Sequence, residues 1–77
     1  MKAIVTVIGK DRKGIIAAVS GELLEIGANV EDISQTLMQD NFVMMMMVDV
    51  PAGGDIAVIG ERLTALGKKI GVDIRIQ

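Results

Sequence analysis

The chain has no cysteine, no histidine, no tryptophan and no tyrosine; its only aromatic residue is Phe42 and its only proline Pro51. Without cysteine there is neither a disulfide nor thiolate chemistry, and the redox compartment cannot be read from the sequence. Without histidine the commonest metal ligand and the commonest general base are both gone, leaving carboxylates, lysines and hydroxyls for any chemistry. That favours a non-enzymatic protein with no cofactor. A single Phe42 provides no stacking platform for bases, and a net charge of −2 gives no attraction for phosphate backbones or anionic lipid. Neither nucleic acid nor a membrane is expected as a partner. No apolar run approaches the roughly 20 residues that span a bilayer, and MKAIVTVIG is too short and too β-like for a secretory segment. A soluble cytoplasmic protein is the expectation.

What is present is apolar side chain: 51% of the 77 residues are hydrophobic and the mean hydropathy is +0.50. So short a chain forms one domain, residues 1–77, and that apolar content exceeds what a polar-surfaced monomer of this length buries. A homodimer or higher homo-oligomer is expected.

Lys2 to Ile8 carries Ile and Val on both parities with Thr6 as the polar exception, the pattern of a central strand. Ile15, Ile16, Val19, Leu23 and Ile26 then form one helical stripe that Gly27 ends, although Leu24 falls off the stripe. Asn29 to Gln39 alternates like a half-polar edge strand, Asp40-Asn41 is read as a turn that tolerates positive φ, and FVMMMMVDV follows as its hairpin partner. After Pro51-Ala52-Gly53-Gly54, Asp55 is placed to cap a second helix over Ile56, Ile59, Leu63, Leu66 and Ile70, stopped by Gly71; Val72 to Gln77 is the last strand. The order βαββαβ with right-handed crossovers is the ferredoxin-like α+β plan: a four-stranded antiparallel sheet with both helices on one face and the first and third strands in the middle.

Asp49 and Thr6 fix the parity of the central strands. Met44, Met46, Val48 and Val50 are assigned to the helix side, and Ile4, Ile8, Val43, Met45 and Met47 to the uncovered side, where they form an interface candidate. The methionines alternate between faces and so cannot all converge on one soft metal ion.

The stretch Gly9-Lys10-Asp11-Arg12-Lys13-Gly14 concentrates charge in front of the first helix. Two readings stand: Asp11 caps the helix and the glycines shape a turn, or the unpaired amides and the helix dipole hold a carboxylate, with Gly14 allowing close approach. Asn29 carries the same ambiguity, as a turn residue or as an amide able to meet an ammonium and a carboxylate.

The element order, the G-x-D-x-x-G first loop, IGANVEDISQ and the length together resemble the ACT domain, from Met1 to Gln77. The first half is similar to stand-alone ACT proteins of the glycine-cleavage-system regulator group. The resemblance implies an amino-acid or related metabolite ligand between two protomers, touched by the first loop of one and the start of the second strand of the other. By similarity these positions are Gly9, Lys10, Asp11, Arg12, Gly14 and Ile15, with Asn29 and Val30. The His and Asn that serine-sensing members carry in this loop are replaced by Gly9 and Asp11. The expected function is a regulatory sensor acting on a possible protein partner. The alternatives are a ligand-free interaction module using the uncovered sheet face, and an acylphosphatase-like use of Arg12 with Asn29.

Overall fold

The computed structural model describes residues 1–77 and has the order β1 (Lys2–Lys10), α1 (Ile15–Ile26), β2 (Asn29–Met38), β3 (Asn41–Asp49), α2 (Ile56–Ile70) and β4 (Val72–Ile76). The strands form one antiparallel sheet in the order β2-β3-β1-β4, so the two strands that are apolar on both faces are the central pair. No helix is long and apolar enough to cross a membrane.

Register decides the faces. Thr6 lies opposite Met45 and Ile4 opposite Met47, whereas Val5 and Val7 lie opposite Met46 and Met44. Residues directly opposite share a face. The core holds Ala3, Val5, Val7, Met44, Met46 and Val48 from the central strands, closed by Ile15, Val19 and Leu23 of α1 and Ile59 and Leu63 of α2. The methionine tetrad is thereby split: Met44 and Met46 are packed among these side chains, and Met45 and Met47 point the other way. Met adapts its shape to a core that contains only one aromatic ring.

Several local expectations need correction. β1 runs on through Gly9 and Lys10, because Phe42 and Asn41 on one side and Val72 on the other continue to pair with it; the first connection therefore shrinks to Asp11–Gly14. The hairpin turn is Gln39-Asp40, not Asp40-Asn41, and it is Gln39 that takes positive φ, at 56°. Asn41 is already in the ladder, opposite Lys10 and Met38, so it has no freedom left for the turn. Asp11 does not cap α1. The cap position is Gly14, in the left-handed region at φ 89°, and no side chain accepts from the first turn. Asp55 does cap α2, accepting from the amide of Ala57 at 2.9 Å.

Gly67 brings α2 down onto β4, since a Cβ there would stand 2.5 Å from the Val72 carbonyl oxygen. α2 packs closely on β4, while the helix-side face of β2 is left largely exposed. Val30, Ile33 and Leu37 of β2 lie on that side, opposite Val48, Met46 and Phe42, and remain exposed. A bulge between Val30 and Asp32 keeps Val30 on the helix side despite the odd spacing to Ile33. Leu24, the residue that falls off the α1 stripe, is 78% exposed.

Candidate ligand site at the start of the first helix

The first loop is tied down at two points. The Asp11 amide donates to the Asp40 carbonyl at 3.0 Å, which fastens the loop to the β2–β3 turn. Arg12 reaches the other way, its Nη1 donating to the Ile70 carbonyl at 3.3 Å at the C-terminal end of α2, where the helix dipole favours a cation. The guanidinium lies against Gly71.

Between this loop, α1 and β2 lies an open hollow of about 690 Å³ bordered by Asp11, Arg12, Gly14 and Ile15, by Ile16, Ala17 and Ser20 of α1, and by Gln35 and Phe42 from the sheet. Its size suits a small molecule. The amides of Ile15, Ile16 and Ala17 have no acceptor within the chain, because Gly14 lacks a capping side chain and the first amide to find a carbonyl is that of Ala18, on Gly14 at 2.9 Å. These donors and the dipole favour an anion, and Asp11 beside them favours a cation. One carboxylate and one ammonium on the same small molecule match both.

Gly14 serves this arrangement by its conformation. A Cβ at Gly14 would meet nothing within 4 Å, so the glycine is required by its positive φ and not by a close neighbour. Gly9 is the reverse: a Cβ there would stand 2.8 Å from Val72 Cγ1 and 3.1 Å from the Gly71 carbonyl, so Gly9 lets β4 approach β1 and does not border the hollow. Lys10 borders a smaller recess with Asp11, Leu37, Gln39 and Asp40 on the other side of the loop.

Asn29 and Val30 are elsewhere. Asn29 pairs with Asp49 at the end of β3 remote from the loop, whereas Met38 pairs with Asn41 beside Lys10. Asn29 and Met38 are the two ends of the ten-residue β2, about 30 Å apart at the usual rise. Within one chain, Arg12 and Asn29 are therefore not brought together, and the acylphosphatase-like pair does not assemble. The surroundings of Asn29 are charged: the Met1 ammonium donates to Asp49 at 3.0 Å and holds that carboxyl below its usual range, and Lys2, hydrogen-bonded to Glu31, is raised above its own.

The interface candidates Ile4, Ile8, Val43, Met45 and Met47 all lie on the uncovered face, with Ile8 51%, Met45 50% and Met47 37% exposed. That face is on the opposite side of the sheet from the hollow. Another hollow, of about 680 Å³, runs along α2 and β4 past Gly60, Thr64 and Arg75, and contains none of the loop residues. Gln35, Ser20 and Phe42 are lining residues that the sequence pattern alone does not single out. The one available signal was Gln35, a polar residue on the parity of Ile33 and Leu37.

The family profile of the ACT domain matches residues 2–77. The chain belongs to the ACT domain family. ACT domains are regulatory ligand-binding modules, and the match spans all six elements. A UPF0237 protein of Clostridium acetobutylicum is 50% identical over 78 residues, covering 100% of this chain and 88% of the relative. The solved ACT domain protein from Streptococcus pneumoniae is 44% identical and superposes with a TM-score of 0.94 over 100% of this chain and 88% of that one. A putative glycine cleavage system transcriptional repressor, 22% identical, shares the ACT fold with a TM-score of 0.83 over 99% of this chain and 44% of its own.

Proposed function

We propose that this ACT domain is a non-enzymatic sensor of a small amino acid or related metabolite, working as a homodimer in which each ligand is held between two protomers. The observation that carries the reading is the separation of the two halves of the site. Asp11, Gly14 and Ile15 lie at one end of β2 and Asn29 at the other, and β2 is an edge strand, exposed along all ten residues. A two-fold axis that pairs two β2 edges antiparallel carries the partner's Asn29 and Val30 to the hollow beside Asp11. The same axis covers Val30, Ile33 and Leu37 together with Ile16 and Leu24 of α1, an apolar flank that otherwise faces water.

In this arrangement the ligand carboxylate takes the free α1 amides, its ammonium takes Asp11, and the Asn29 side chain of the second protomer closes the site with a donor and an acceptor. A ligand bridging two chains stabilises one relative arrangement of them, which is the means by which a module without a catalytic group signals to a protein partner. A second reading, an interaction module that binds no ligand, draws support from the apolar Ile8, Met45 and Met47 on the opposite face.

Calorimetric titration and thermal shift with a panel of amino acids, glycine and serine included, separate the two. The sensor predicts heat for at least one, a stabilisation of about 2.7 kcal/mol at a hundred times its dissociation constant, and loss of both in Asn29→Ala. An absence of heat and shift across the panel would refute the sensor and leave the interaction module.

A further inference from the structure

We infer that Gln35, together with Ser20 on the border of the same hollow, determines which ligand the hollow accepts, selecting small molecules with a short hydrogen-bonding side chain, a hydroxyl or carboxamide, over aliphatic ones of equal size. The inference rests on the sensor reading and adds the class of side chain to it. Along β2 the positions on the helix side are Val30, Ile33, Gln35 and Leu37, opposite Val48, Met46, Met44 and Phe42. Three of the four are apolar although this face is exposed, a strip that asks for cover. Gln35 breaks the run at the position whose neighbour, Met44, is fully buried.

Gln35 is exposed, as the whole of β2 is, so packing within the chain does not fix its side chain. Gln35 makes no side-chain hydrogen bond within the chain, and neither do Ser20 nor Asp11. All three border the same hollow. Asp11 belongs to the loop end, where the charged groups of an amino acid are accommodated. Gln35 and Ser20 project from the sheet and from the second turn of α1, so they border the remainder of the space, with Ala17, Ile16 and Phe42 as its apolar walls. Gln35 offers two donors and an acceptor and Ser20 one of each type, a pair able to satisfy a hydroxyl or a carboxamide from either side. Once the second protomer of the proposed dimer shuts water out of the hollow, an aliphatic side chain in the same space leaves both groups without partners, and buried unpaired polar groups are the stronger source of discrimination.

The test compares serine, threonine, asparagine and glutamine with alanine and valine by calorimetry on the full chain, in wild type, Gln35→Leu and Gln35→Glu. Wild type is expected to prefer the polar set by roughly tenfold, the worth of one or two neutral hydrogen bonds. Gln35→Leu is expected to erase or invert that ranking, and to raise the melting temperature of the unliganded protein by completing the apolar strip. Gln35→Glu, which keeps the acceptor and loses the donors, is expected to retain serine and threonine and to lose asparagine and glutamine preferentially. If some amino acid binds and Asn29→Ala weakens it while Gln35→Leu leaves the ranking unchanged, the sensor stands and this assignment is overturned. If none of the six binds wild type, the assignment is overturned whatever the wider panel shows.

Discussion

Gly14 and Gly9 stand at the two ends of one short segment, and the structure gives them opposite reasons for being glycine, which a pair of substitutions separates. At Gly14 the backbone has φ 89° and a Cβ would meet open space, so Gly14→Ala costs only the left-handed conformation. That conformation is worth about 1–2 kcal/mol against an L-residue, offset in part by the reduced freedom of the unfolded chain, for a net loss of about 1 kcal/mol. In a domain of 77 residues this lowers the melting temperature by about 4–8 °C. At Gly9 a Cβ would stand 2.8 Å from Val72 Cγ1, 3.0 Å from Val72 Cα and 3.1 Å from the Gly71 carbonyl oxygen. Two of those three atoms are backbone and cannot rotate away, so Gly9→Ala forces β4 off β1 at a cost of about 1–3 kcal/mol. The decisive comparison is asparagine, which tolerates the left-handed region but is larger than alanine. Gly14→Asn is expected to recover much of what Gly14→Ala loses, and Gly9→Asn to be worse than Gly9→Ala. Urea denaturation of the four variants, followed by circular dichroism without added ligand, measures all of this. Equal stability of Gly14→Ala and Gly14→Asn, or a Gly9→Ala as stable as wild type, would show that the loop and the start of β4 are not held as described.

Two further outcomes are expected. Met44→Ala should lose about 2–5 kcal/mol in the same denaturation experiment, because Met44 is fully buried, whereas Val58→Ala, on the exposed side of α2, should stay within about 0.5 kcal/mol; similar losses at both would contradict the burial of Met44 in the core. Lys2 is raised first by its hydrogen bond to Glu31, so from neutral pH up to the ordinary lysine value, about 10.4, this pair stabilises the fold, and the contribution fades as pH climbs through the raised folded value. Glu31→Gln should return the Lys2 titration, followed by NMR, to the ordinary value; a Lys2 that still titrates high in that variant would place the cause elsewhere.

The element order, the central position of β1 and β3, the α2 cap at Asp55 and the division of the four methionines are all legible in the sequence, and for one reason: each depends on periodicity or on side chains a few residues apart. Parity along a strand is a local property, so Asp49 and Thr6 sufficed to sort Met44 and Met46 from Met45 and Met47. Of the two readings of Asp11, the structure excludes the cap, because the extension of β1 through Gly9 and Lys10 moves the helix start onward to Gly14.

The candidate site was half legible. Asp11, Gly14 and Ile15 announced themselves as a charged, glycine-bounded connection in front of a helix. Gln35, Ser20 and Phe42 did not, since they lie far apart in the chain and meet the loop only because β2 returns antiparallel beside β3 and α1 crosses above it. The same return carries Asn29 about 30 Å from the loop of its own chain. Periodic side-chain patterns act over a turn or a strand pair and therefore specify the elements and their faces. Distances between elements depend on register and crossover, which no local pattern encodes, and it is those distances that gather the hollow's walls and hold Asn29 away from them.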